Sequence, residues 1–121
     1  MKKKRGFTLV EVMTVVIIVG ILASVAVPLY RANIKRAMAS EGAALLGSVR
    51  TAERIYYSEH GKYTKDKNAL GIDTTGNKYF KDYTILSADE NGFVAETKGT
   101  GDAEGITVKI DQDGNLTYSG I

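Results

Sequence analysis

The hydrophobic pattern divides the chain sharply. From Phe7 to Tyr30 it reads FTLVEVMTVVIIVGILASVAVPLY. Between Val12 and Leu29 it carries no charge, and Thr14 and Ser24 are its polar residues. A run of this length in a helix approaches the about 20 residues that cross a bilayer core, so 7–30 is expected to be a membrane-embedded helix. After Pro28 a different pattern takes over. Ile34, Met38, Gly42, Leu45, Val49, Ala52 and Tyr56 recur at steps of three and four, which is one face of an amphipathic helix over 31–60. Arg36, Arg50, Glu53, Arg54 and Glu59 lie mostly off that stripe, and Glu41, Gly42 and Gly47 read as its soft spots. His60 in the last turn and Gly61 at the left-handed position after it close the helix. The joined helix would run from about Thr8 to about His60, roughly 80 Å at 1.5 Å per residue. No small domain can bury all of it. Its first half needs lipid or copies of itself, and its second half offers one stripe to a sheet.

Beyond the helix, 61–80 is polar and punctuated by glycine, with Tyr63, Leu70 and Ile72 as apolar anchors; it reads as a long connecting loop. Four short runs then suit strands: Asp82–Ser87, where Leu86 adjoins Ile85; Phe93–Thr97; Ile106–Ile110, a clean ITVKI alternation; and Leu116–Ser119. The DENG stretch at 89–92 and the DQDGN stretch at 111–115 separate them as hairpin turns, and Gly99–Gly105 forms a longer turn. The fold class expected is α+β: a long N-terminal helix packed on a small antiparallel β-meander over 82–119, one face covered by the helix stripe and the other wet. The globular head would be 31–121.

Charge changes the picture at one place. Of 16 basic residues, Lys2, Lys3, Lys4 and Arg5 are consecutive and directly precede the apolar run; without them the remainder has twelve basic against 14 acidic residues. The basic balance is therefore a topology signal that stays cytoplasmic. It is no broad basic face, and no nucleic-acid partner is implied. The absence of cysteine excludes disulfides, thiol catalysis and thiolate metal sites.

The N-terminal run itself has three readings. It can be a plain signal anchor, a secretory signal removed after Ser24-Val25-Ala26, or a segment cut before the apolar run. Glu11, an ionisable residue inside that run, is the discriminating feature. A carboxylate at a membrane helix centre costs about 2.5–3.5 kcal/mol, less near the interface where it can snorkel, and a disposable signal gains nothing from it. Gly20 and Pro28 add a second feature, because proline removes a helical N–H and clashes with the carbonyl four residues back, near Ser24. A bend tolerated within a membrane helix is the plainer outcome.

The residues RGFTLVEVM, followed by the apolar helix, resemble the type III signal of type IV pilins and type II secretion pseudopilins. The resemblance implies cleavage between Gly6 and Phe7 by a prepilin peptidase, which removes a leader of residues 1–6. It implies N-methylation of Phe7, and it places Glu11 at the family's glutamate position, the fifth of the mature chain. Each of two lone charges in hydrocarbon is costly, and the pair is less so. The new amine of one subunit can therefore meet the Glu11 of a neighbour during assembly. Gly20 to Pro28 becomes the stretch that melts in family filaments. The implied function is a structural subunit polymerising into a pilus, a homo-oligomeric helical filament built by pilus assembly machinery. The subunit pool lies in the inner membrane, in contact with lipid, and the filament at the cell surface. Adhesion, motility, DNA uptake and secretion are outputs of such filaments. The alternative is a major pseudopilin, and a membrane-anchored binding module is a distant third.

The remaining chemistry is sparse. Catalysis needs a nucleophile–base pair or a metal centre, and the single histidine closes a helix, so no enzyme and no cofactor are expected. Asp111, Asp113 and Asn115 with Gly114 resemble the start of a calcium loop but lack its distal acid. Major pseudopilins do use calcium in this region, and turn chemistry explains the same residues. Tyr56, Tyr57, Tyr63, Tyr79, Phe80 and Tyr83 cluster near the helix end and the loop. Packing of the head is the reading favoured over an electron path.

Overall fold

A computed structural model describes residues 6–121. The basic residues Lys2 to Arg5 lie outside the described residues. Helix α1 runs Leu9–His60 with Pro28 inside it, close to the span expected. The chain divides into two compact units, Met1–Asn33 and Ile34–Ile121.

In the first unit, α1 is apolar and exposed throughout. Its large apolar side chains from Phe7 to Tyr30 are between 46% and 81% accessible, and the helix is long and apolar enough to cross a membrane. In the second unit, α1 packs on a four-stranded sheet of β1 (Thr84–Ala88), β2 (Phe93–Lys98), β3 (Thr107–Asp111) and β4 (Leu116–Ser119). The strands are antiparallel in the order β1-β2-β3-β4, the meander expected from the turn sequences.

Met38, Leu45, Leu46 and Val49 from the helix meet Phe80, Ile85, Phe93, Ala95, Val108 and Ile110 in one core. The stripe read from sequence supplies Met38, Gly42, Leu45 and Val49 to the buried face. That face also takes Ala39, Leu46 and Glu53, while Ile34 stays 39% exposed. Glu53, one of the charges that the sequence places mostly off the stripe, is the exception, because it is completely buried. A helix pressed on a sheet buries a wider arc than a single row of three-and-four steps. Gly42 also needs correction as a soft spot. A Cβ built there would lie 3.0 Å from the Phe80 ring and 3.1 Å from Val108. Glycine there lets the sheet side close on the helix.

Four local features have local causes. The connecting segment holds a one-turn helix α2 (Lys67–Leu70), because the Asp66 side chain accepts the Asn68 N–H and Gly71 ends the turn at φ 63°. β1 starts at Thr84 rather than Asp82, whose carbonyl accepts the Thr97 hydroxyl at 2.6 Å and whose carboxylate pairs with Lys67. Ile106 precedes β3: its N–H goes to Ala103 O and its carbonyl accepts Gly99 N–H, closing the Gly99–Gly105 turn. The Ile85-Leu86 pair, which broke the alternation, is a register shift between Ile85 and Ser87 that leaves Leu86 unpaired and 41% exposed. β4 is exposed along its whole length, so the covered face of the sheet narrows at that edge.

Candidate functional site

Gly6 and Phe7 lie just before α1, and Glu11 lies in its first turn. Thr8 precedes the first helical residue, and its carbonyl accepts the Val12 N–H at 3.1 Å. Its hydroxyl accepts the Glu11 N–H at 3.1 Å and donates to Glu11 Oε1 at 3.1 Å. Thr8-x-x-Glu11 is thus an N-terminal cap in which Glu11 occupies the third helical position. Sequence reasoning singled out Glu11 for assembly and missed this local role, although the spacing was available. A carboxylate there also faces the positive end of the helix. Phe7 is 81% exposed. Glu11 is exposed too, and no cation among the described residues lies within 4.0 Å of it.

Farther along, α1 remains helical through Gly20 and Pro28. A Cβ at Gly20 would meet nothing within 4 Å. Pro28 supplies no N–H, so the Ser24 carbonyl lacks its usual helical donor. The Ser24 hydroxyl turns instead to the Ile21 carbonyl at 2.6 Å.

In the head, two carboxylates absent from the sequence-derived candidates organise the segment after α1. Glu41 accepts three consecutive backbone N–H groups: Lys78 at 3.1 Å through Oε2, and Tyr79 at 2.7 Å and Phe80 at 2.8 Å through Oε1. Burial works to raise its pKa. The N–H groups of Phe80, Tyr79 and Lys78, with the Lys78 charge, outweigh that and hold the carboxyl below its ordinary value. Glu53 accepts the Thr64 N–H at 3.0 Å. Burial pushes its carboxyl up, with partial relief from that bond. No sequence signal marked either role, because both partners lie beyond the helix end and are brought back by the fold.

His60 stacks on Tyr56 with ring centroids 4.1 Å apart, and Gly61 takes φ 73° while its N–H bonds to Tyr57 O at 2.8 Å. That is the helix-closing arrangement expected. Tyr57, Tyr63 and Phe93 follow one another at 4.7 and 5.1 Å, packing the helix end into the core. Asp111 is occupied by its own turn. Its Oδ1 accepts the N–H groups of Asp113 and Asn115, and its Oδ2 accepts Asn115 Nδ2. Among the described residues no group of three or more His, Cys, Asp or Glu side chains is placed to hold a metal ion.

An exposed apolar helix with a capped acidic residue in its first turn, joined to a small meander head, defines a class of protein. It is a protein whose N-terminal helix exposes an apolar surface that needs outside cover. Comparison with known proteins agrees. Residues 1–27 match the prokaryotic N-terminal methylation motif and residues 35–120 match the pilin (bacterial filament) family. The fimbrial protein EcpC of Eikenella corrodens is 40% identical over 108 residues, 88% of this chain and 71% of that one. The type IV major pilin protein PilE of Neisseria gonorrhoeae is 39% identical over 97 residues, 78% of this chain and 56% of that one. The non-core minor pilin PilV of Neisseria meningitidis has a crystal structure that aligns with a TM-score of 0.48 at 31% identity, over 64% of this chain and 76% of that one. The chain belongs to the pilin family of bacterial filament subunits. Its relatives are pilins and fimbrial proteins, and they do not favour the pseudopilin reading.

Proposed function

We propose that this chain is a structural subunit of a type IV pilus, polymerising through its N-terminal helix after processing between Gly6 and Phe7. The observation that carries this reading is the run of exposed apolar side chains from Phe7 to Tyr30 with one acidic residue, Glu11, at its start. Before assembly, lipid of the inner membrane covers the run, and Lys2 to Arg5 keep the leader on the cytoplasmic side. A prepilin peptidase removes residues 1–6 and methylates Phe7. The new cationic amine and a neighbour's Glu11 then compensate one another as the subunit leaves the bilayer. Glu11 Oε1 is held by the Thr8 hydroxyl, which fixes the carboxylate at the helix end where that amine arrives. Pilus assembly machinery with a cytoplasmic ATPase drives addition, and copies of the same helix replace lipid as cover. Heterologous contacts of this kind build an open helical filament. The subunit acts without catalysis.

Glu11→Ala tests the charge pairing. The variant should insert in the membrane and be cleaved, because the apolar run and Gly6 are intact, while filament recovery from sheared cells falls severely. Undiminished filament yield would refute the pairing.

A further inference from the structure

Glu53 is wholly buried in the head, and the proposed function gives it no role. Its Oε1 accepts the Thr64 N–H at 3.0 Å, and its Oε2 is buried with no hydrogen-bond partner. No Lys, Arg or His among the described residues lies within 4.0 Å of the carboxyl.

The charged neighbours are engaged elsewhere. On α1, Arg50 donates through Nε to the Gln112 carbonyl at 3.1 Å, and Arg54 is exposed. On α2, Lys67 pairs with Asp82 and lies over the Tyr83 ring, 4.6 Å from its centroid. Before β1, Tyr83 is buried and is the titratable group coupled to Glu53; desolvation, then the charges of Asp82 and Glu53, raise its pKa. An ionised Glu53 therefore has one neutral donor and no counter-charge, the arrangement that most disfavours a buried carboxylate.

We propose that Glu53 is a proton-dependent latch: neutral, it lets the segment 61–66 close over α1; ionised, it favours release of that segment so that the carboxylate reaches water. The closed segment is otherwise held by the Tyr63 N–H on the Asp89 carbonyl at 3.0 Å and by the Tyr63 ring between Tyr57 and Phe93. Release of the latch thus works against a small number of contacts and leaves the Glu41 clamp at residues 78–80 in place. The closed head binds the Glu53 proton more tightly than the opened one. Opening therefore becomes more favourable as pH rises from the ordinary glutamate value to the closed-state value, by at most about tenfold per pH unit for one proton, and levels off above it.

The test is amide hydrogen exchange at Thr64, read by NMR on the full chain in detergent micelles between pH 4 and 8 and corrected for intrinsic exchange. Glu53→Gln keeps an acceptor for Thr64 and removes the titration. Thr64 protection should fall with rising pH over part of this range in the native chain, by up to about tenfold per pH unit, and stay level in Glu53→Gln. Equal pH dependence in the two, or none in either, would overturn the latch. If Glu53→Gln fails to fold, the carbon-13 shift of the native Glu53 carboxyl decides. A raised midpoint shared with the Thr64 amide supports the latch. A midpoint in the ordinary carboxylate range, or a Thr64 amide without a step at that midpoint, overturns it.

Discussion

Gly42 and Gly47 stand five positions apart on α1 and are expected to respond to substitution in opposite ways. A side chain at Gly42 meets the Phe80 ring and Val108 at 3.0–3.1 Å, whereas one at Gly47 meets nothing within 4 Å. Gly47→Ala should stabilise the head by about 0.5–1 kcal/mol through helix propensity. Gly42→Val should destabilise it by about 1–3 kcal/mol through overpacking. Thermal melts followed by circular dichroism separate the two. Both are weak points by propensity; the stripe puts Gly42 alone of the two on the sheet side, but it does not show how closely the Phe80 ring and Val108 approach there. Glu41 is similar. Its three N–H partners arrive from 37 to 39 residues away, so the sequence shows it only as a soft spot of the helix. Glu41→Ala leaves those donors without their acceptor and should cost about 1–3 kcal/mol. Its folded pKa is depressed, so the native contribution is full above the unfolded glutamate value and fades as pH falls through the folded one. The gap between native and variant melting temperatures should accordingly close in acid. A gap unchanged with pH would mean that the carboxylate charge contributes nothing.

At the scale of elements, the parts legible in the sequence are those set by local pattern. The helix was readable because its apolar run and its three-and-four stripe are contiguous and no proline follows Pro28. The hairpins were readable because DENG and DQDGN carry turn chemistry: Asp89 Oδ1 accepts the N–H groups of Asn91 and Gly92, as Asp111 does for its own turn. Strand starts were displaced where a flanking backbone group is used by a turn or a side chain, as at Asp82 and Ile106. The short helix α2 lay inside a segment read as loop, since one capped turn has no periodicity to detect. Pro28 sets a prediction at this scale. Pro28→Ala restores a helical N–H opposite the Ser24 carbonyl and removes a ring clash, a change of about 3 kcal/mol toward helix. If filament packing opens α1 between Gly20 and Pro28, this variant should reach the membrane normally and yield fewer filaments. Native yield would show that the opening is dispensable.

For the molecule as a whole, the sequence divides its labour clearly. The first unit presents an apolar helix whose described side chains are exposed, and the second buries a compact core that contains no cysteine. Gly6, Phe7 and Glu11 could be proposed for processing and assembly from the sequence because they sit in one short string. The roles of the head's carboxylates could not, because their partners are assembled by the fold. The charge pattern follows the same division. The four leading basic residues stand apart from a chain that is mildly acidic after Gly6, and under the proposed function they would orient the precursor while a new amine at Phe7 would meet Glu11. The most direct measurement is electron microscopy of filaments sheared from cells that express this chain with a prepilin peptidase and assembly machinery, with mass spectrometry of their subunit. The account predicts long thin filaments whose subunit begins at N-methylated Phe7. A chain found only in the membrane with residues 1–6 attached, or a mature protein beginning at Val27, would contradict it.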